Sequence, residues 1–185
     1  QVHSIQNGFP ELEKVQIAIF GVQEDRNAVD NINCGENIEE IRKHLYQLFL
    51  GNWHTKIADL GNIIKGNSIE DTYFAVNSLT SYLIKNKIIP IIIGGSQDIT
   101  YANYRAYDSL EQTVNLVSVD SKFDIETIEE GLNSRSYLNK IILDKPNNLF
   151  NFSNIGYQTF YNSQEELDLL NSLFFDTYRL GEEKM

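Results

Sequence analysis

The fold is decided by residues 90–125, which read PIIIGGSQDITYANYRAYDSLEQTVNLVSVDSKFDI. A run of apolar residues ends in the pair Gly94 and Gly95, a segment with helical periodicity follows, and a second apolar run ends at Asp120. A strand, a helix and another strand in this order are typical of a parallel β-sheet with its connecting helix on one face. Because ligands of such sheets bind beyond the carboxyl ends of the strands, the polar tip at residues 120–125 is a candidate functional site.

The same alternation of strands and helices extends over the rest of the chain. Ser68 with Asp71, and Ser163 with Glu166, have the spacing of a capping box at the start of a helix. Predicted strands cover residues 15–21, 54–61, 88–95, 114–120, 153–158 and 176–181, and predicted helices cover residues 37–49, 67–87, 98–110, 136–144 and 162–174. We therefore expect one α/β domain over residues 1–185, a three-layer α/β/α sandwich with a mainly parallel sheet. Residues 88–95 have apolar side chains on both faces, which predicts a central strand covered above and below, and residues 114–120 predict another buried strand.

Composition excludes some classes of function. The chain has 185 residues, a formal net charge of -11 and a pI near 4.6, which disfavours binding to nucleic acid or to an anionic membrane. The single cysteine, Cys34, rules out an intrachain disulfide and fits a reducing compartment. We expect a cytoplasmic protein, and a first residue Gln1 with the sole methionine at Met185 predicts a piece of a longer polypeptide.

Three predicted strand ends carry candidate chemistry, with the sequences GVQEDRN, GGSQD and DSKFD. In the third, Asp120 and Asp124 are spaced so that both carboxylates can converge on one cation, although aspartate pairs are also common on surfaces that bind no metal. The glycine pair lacks the pattern of a phosphate-binding loop, so we interpret it as a tight turn. No two of the three histidines have the spacing of metal ligands.

Two segments, PIIIGGSQDIT and VNLVSVDSKFDI, resemble the arginase, agmatinase and formimidoylglutamase family, the ureohydrolases. That family has Gly-Gly-Asp-His-Ser in the first motif and Asp-Ala-His-x-Asp in the second. The segment GVQEDRNAVDNINCGENIEEIR resembles the family's first-strand loop and following helix start, and NIGYQ and YRLG add to the likeness. The resemblance is closest to formimidoylglutamase-like members. It implies the arginase-type sandwich, with a carboxy-terminal part missing from this chain.

The resemblance also implies a metal site, which this sequence alters. Family members hold two manganese ions with a histidine from the first motif, Asp, His and Asp from the second, and two aspartates from a later Ser-x-Asp-x-Asp motif. Here the histidine positions are Gln97 and Lys122, Asp120 and Asp124 are retained, and the third motif does not occur. An amide is a weak ligand and an ammonium repels a cation, so we expect no cofactor, or manganese only if the site still partly functions.

Lys122 could replace the metal electrostatically. We hypothesise an ion pair from Lys122 to Asp120 or Asp124, because two facing carboxylates at a half-buried strand end would otherwise repel each other. The alternative is a surface lysine on a loop.

The preferred interpretation is a ureohydrolase-family domain that has kept the fold and lost its dinuclear manganese site, with a remaining role in subunit association or in binding a small guanidino or formimidoyl ligand. The alternative is an active metal-dependent hydrolase of a guanidine or amidine C–N bond, of the formimidoylglutamase, agmatinase or arginase type. An unrelated nucleotide-binding domain would need phosphate-binding glycines that are absent from this sequence. We also expect a homo-oligomer.

Overall fold

The computed structural model describes residues 2–3, 11–49, 51–52, 54–129 and 131–181. Seven strands and five α-helices lie in this part of the chain, with short 3₁₀ turns at Cys34–Glu36 and Thr159–Tyr161. In chain order they are β1 (Val2–His3), β2 (Ile17–Val22), α1 (Ile38–Leu45), β3 (Ile57–Ile63), α2 (Ile69–Lys85), β4 (Ile89–Ile93), α3 (Ile99–Asp108), β5 (Val114–Val119), α4 (Tyr137–Leu143), β6 (Leu149–Tyr157), α5 (Gln164–Ser172) and β7 (Asp176–Arg179).

All strand pairs are parallel, as the alternation of strands and helices predicts. One sheet has the order β1-β3-β2-β4 and a second sheet has the order β5-β6-β7. The carboxyl ends of β2 and β4 lie side by side, because Gly21 pairs with Ile93 in the register of the two strands. The loops that follow these two strands are therefore neighbours.

The helices cover the first sheet on both faces. Ala18 and Phe20 of β2 pack with Val76 and Leu83 of α2 on one face, whereas Ile19 packs with Ile38 of α1 on the other. This arrangement confirms the α/β/α layers. The second sheet has its core on one face, where side chains of α3, α4 and α5 surround β6; the buried members are Tyr104, Phe123, Ile125, Tyr137, Leu138, Ile141, Phe152 and Leu170.

The prediction that residues 88–95 form a central strand and residues 114–120 a buried one is wrong for the described part of the chain. Each strand has a sheet neighbour on one side only. Ile89 of β4 is 61% exposed, and Val119 of β5 is 80% exposed. Apolar residues on both faces of a strand indicate that both faces can be buried, but they do not indicate which elements pack there or whether the strand lies at the edge of the sheet.

The element boundaries otherwise follow the sequence closely. Both capping boxes form, at Ser68 with Asp71 and at Ser163 with Glu166. The first helix ends at Leu45, before the predicted limit, so Leu48 is exposed. Strand β6 is longer than predicted, and β1 was not predicted. None of the helices in the described residues is long and apolar enough to cross a membrane.

An ion pair between the buried Glu24 and the partly exposed Arg26 ties the loop after β2 to the start of α2. Glu24 is fully buried and accepts hydrogen bonds from Arg26 Nε (2.8 Å) and Thr72 Oγ1 (2.8 Å). Arg26 also donates to the carbonyl oxygens of Gly66 and Ser68, next to the first turn of α2. Burial alone would raise the pKa of Glu24, but these hydrogen bonds outweigh it and lower the pKa to about 2.

We expect Glu24→Gln to reduce the free energy of unfolding by about 2 kcal/mol at pH 7, because the buried position then loses its charge-assisted hydrogen bonds with Arg26. The depressed pKa of Glu24 means that its stabilisation is complete above the unfolded pKa of 4.5 and is lost as the pH falls towards 2. Urea denaturation at several pH values should therefore show a steeper acid dependence of the unfolding free energy in the unmodified protein than in the variant.

The control is Glu40→Gln, which breaks the exposed pair with Lys43 and should lower the free energy of unfolding by less than about 1 kcal/mol. Equal losses of stability in the two variants would contradict the role assigned to Glu24.

Candidate functional site

The turn after β4 requires its two glycines. Gly94 and Gly95 both have positive φ, 74° and 80°. A Cβ on Gly95 would lie 3.0 Å from the carbonyl oxygens of Val22 and Glu24, and one on Gly94 would meet the side chain of Ile38. The pair is thus a tight turn packed against the end of β2, in agreement with its interpretation from the sequence.

Close contact continues into the residues that follow the glycines. The Ser96 N–H donates to the Glu24 carbonyl oxygen at 2.8 Å, and the Ser96 hydroxyl donates to Asp98. Asp98 is fully buried and also accepts a hydrogen bond from the Tyr73 hydroxyl of α2. Burial raises the pKa of Asp98, although both hydroxyl donors oppose the rise. Asp98 was not singled out from the sequence, and it anchors the turn rather than facing the cleft described below.

The turn after β5 places the two aspartates differently. Asp120 Oδ1 accepts hydrogen bonds from the backbone N–H of Lys122 (3.1 Å) and from the Ser121 hydroxyl (3.4 Å). Asp120 therefore closes its own turn. Asp124 ends the turn with a positive φ of 53°, a conformation that aspartate tolerates better than most residues. Both side chains are half-buried.

A cleft of ≈ 240 Å³ brings the two turns together. Gly95, Ser96 and Gln97 line it from the β4 end, whereas Asp120, Lys122 and Asp124 line it from the β5 end. Gln97 is exposed, and its amide donates to Thr100 Oγ1 at 3.3 Å. All four family-motif positions named from the sequence thus border one cleft.

The hypothesis of an ion pair between Lys122 and an aspartate is wrong for the described residues, because neither Asp120 nor Asp124 forms a salt bridge with Lys122 within 4.0 Å. The Lys122 ammonium instead lies 6.0 Å from the centroid of the Tyr161 ring. Asp120 is engaged by the backbone of its own turn, and the half-buried Lys122 side chain extends to the segment after β6. The alternative of a surface lysine does not fully describe Lys122 either, because its side chain is half-buried and its ammonium lies over the Tyr161 ring.

The electrostatics of Asp124 reflect this arrangement. Burial raises the pKa of Asp124 to about 7, and the neighbouring Asp120 carboxylate adds to the rise. The Lys122 ammonium opposes the shift without forming a close pair. Close to neutral pH the Asp124 carboxyl group is therefore partly protonated.

The donor set of the described residues does not fit a dinuclear metal centre by itself. Across residues 11–49, 51–52, 54–129 and 131–181, no group of three or more His, Cys, Asp and Glu side chains is placed to hold a metal ion. Asp120 and Asp124 are the carboxylates that line the cleft, and Lys122 lines it with them. A cation here would have few anionic ligands and a neighbouring positive charge.

Sequence reasoning missed several residues of the site. Arg135 lines the cleft and pairs with Asp30 and, at 3.7 Å, with Glu126. Asn154 and Asn162 hold the backbone of the β5 turn from β6 and the segment after it. They follow β5 by more than 30 residues, and no local pattern marks them.

Comparison with known proteins gives the same family as the motifs. The sequence profile of the arginase family matches residues 15–185. Formimidoylglutamase of Geobacillus sp. (strain WCH70) is 28% identical over 134 residues, which cover 70% of this chain and 40% of the relative. Formimidoylglutamase of Streptococcus gordonii is 24% identical over 168 residues, covering 82% of this chain and 50% of the relative. The chain thus spans half or less of the length of these relatives.

Solved structures show the same fold. Formiminoglutamase of Trypanosoma cruzi with Mn²⁺ superposes with a TM-score of 0.81 at 20% identity, covering 92% of this chain and 62% of the other. Formimidoylglutamase of Bacillus subtilis superposes with a TM-score of 0.81 at 16% identity, covering 96% of this chain and 58% of the other.

We expect the Asp124 carboxyl group to titrate near pH 7. Asp120→Asn should lower that pKa by removing a like charge, and Lys122→Met should raise it by removing the opposing ammonium. Because the pKa of Asp124 in the folded state lies above its ordinary value of 3.8, this group favours the folded state less as the pH rises from about 4 to about 7. Carbon-detected NMR of the carboxyl groups measures the pKa directly, and a shift in the same direction in both variants would contradict this description.

Proposed function

Because the chain belongs to the arginase family, we propose that it is a ureohydrolase-type domain of the formimidoylglutamase branch whose metal site is degenerate. The observation that carries this proposal is the cleft itself, where Lys122 and the exposed Gln97 stand at the two histidine positions of the family motifs. An ammonium cannot ligate a metal, and its charge opposes a dication nearby.

The chemistry that is lost follows from the missing ligands. In metal-dependent hydrolysis the cation lowers the pKa of a bound water, so that hydroxide forms at neutral pH. The residues that line this cleft offer no imidazole to hold such a cation.

The proposed remaining role is binding of a small polar ligand, with a guanidino or formimidoyl group, in the cleft, or association with other subunits. Asp120 and Asp124 supply the negative charge that such a cationic group prefers. A cytoplasmic location and a homo-oligomer belong to the same proposal; the single cysteine supports the reducing compartment.

The proposal predicts that the protein binds less than one manganese ion per chain after dialysis against MnCl₂, as measured by elemental analysis. It also predicts no turnover of formimidoylglutamate, agmatine or arginine with added manganese. Stoichiometric manganese with turnover would show instead that the domain is an active hydrolase.

The double variant Gln97→His with Lys122→His should gain manganese affinity, because it adds two imidazoles beside Asp120 and Asp124 and removes the ammonium. We expect about one bound ion per chain by calorimetry, with a Kd at least about tenfold lower than in the unmodified protein. The matched control is Lys140→His, which changes a lysine outside the cleft lining and should leave affinity unchanged. Equal affinities in all three proteins would contradict the assignment of these positions.

A further inference from the structure

The turn that carries Asp120, Lys122 and Asp124 is held by hydrogen bonds from residues outside it. Three consecutive residues of this turn, Ser121, Lys122 and Phe123, have backbone groups bonded to β6 or to the segment after it. The turn's own sequence supplies the two bonds to Asp120 Oδ1. Its shape therefore depends on residues far along the chain.

Asn162 makes most of these bonds. Its Nδ2 donates to the carbonyl oxygen of Ser121 at 2.8 Å and to that of Gln158 at 2.9 Å, and its Oδ1 accepts from the N–H of Phe123 at 2.9 Å. One planar amide thus bridges the two segments. It pairs with the backbone carbonyl of Ser121, an acceptor before Lys122, and with the backbone N–H of Phe123, a donor after it.

Neighbouring groups complete the attachment. The Gln158 N–H donates to the same Ser121 carbonyl oxygen at 3.0 Å, and Asn154 Nδ2 donates to the Lys122 carbonyl oxygen at 3.1 Å. Tyr161, adjacent to Asn162, lies beneath the Lys122 ammonium at 6.0 Å. The segment of residues 158–162 therefore bonds the backbone on both sides of Lys122 and lies beneath its charged end.

The attachment matters because Asp124 has a left-handed backbone conformation, with φ of 53°. Such a conformation persists when the surrounding structure fixes it. The bond from Asn162 to Phe123 lies one residue before Asp124, so it constrains the direction in which the carboxylate leaves the turn.

We propose that Asn162 is a positioning residue, which fixes the turn of residues 120–124 so that Asp124 faces the cleft and Lys122 reaches Tyr161. Its role in backbone positioning does not depend on any ligand. Its consequence for binding rests on the function proposed above.

Hydrogen exchange tests the positioning directly. In Asn162→Leu the amide of Phe123 should exchange about tenfold or more faster, because its acceptor is gone. The increase should be confined to the turn, with amides of β2 and β3 unchanged. Unchanged exchange at Phe123 would overturn the proposal.

The matched control is Asn147→Leu. Asn147 is also half-buried, and it also binds two carbonyl oxygens, of Ile141 and Ile142, and accepts from a backbone N–H, of Leu149. It lies before β6, at the opposite end of the strand from Asn162. It should lower stability without accelerating exchange at Phe123, and acceleration equal to that of Asn162→Leu would overturn the proposal. If Asn162→Leu does not fold, the smaller change Asn162→Ser replaces it with the same expectation.

Manganese binding gives a readout that a purely structural role would not change. In the Gln97→His, Lys122→His background, Asn162→Leu should weaken manganese binding by about 10- to 100-fold, while Asn147→Leu should leave it within about twofold. Equal binding with and without Asn162→Leu would overturn the consequence for the site. If the histidine variant itself binds no manganese, the assignment of Gln97 and Lys122 to the family's histidine positions fails, and the exchange of Phe123 still decides the role of Asn162.

Discussion

The close approach of two backbone segments, the turn after β4 and the loop after β2, is the constraint on which the site depends. Gly95 leaves no room for a Cβ against the carbonyl oxygens of Val22 and Glu24, and Ser96 donates to the second of these. The contact places Gln97 at the cleft. The buried Glu24, with its partner Arg26, and the buried Asp98 both lie directly beside this contact and support it together.

The two halves of the cleft are built by different means. The β4 half is rigid because glycines permit a close contact and because Asp98 is held by hydroxyl groups on both sides. The β5 half is rigid because amide side chains from later in the chain bind its backbone. Family resemblance indicates which positions face the cleft, whereas these contacts explain what holds those positions in place.

Much of the fold could be predicted from the sequence, since periodicity, capping boxes and the glycine pair are local signals. Neither the edge positions of β4 and β5 nor the contact of Lys122 with Tyr161 could be predicted in this way. The edge positions depend on which elements pack beside each strand. The contact of Lys122 depends on Tyr161, which lies 39 positions later in the sequence, and on the fact that Asp120 is already bonded within its own turn. The positions facing the cleft follow from strand order, but the direction of each side chain follows from contacts that no motif encodes.

The open edge of β5 also affects how the protein behaves in concentrated solution. Residues 114–119 carry no charged side chain, and Val117 and Val119 are exposed. Within the residues that the structure describes, β5 pairs with β6 on one side and has an open edge on the other, which is a template for strand addition. A net charge of -11 keeps such chains apart through mutual repulsion, and dissolved salt screens that repulsion. Added salt should therefore promote association of this protein, so dilute, low-salt buffers keep it dispersed.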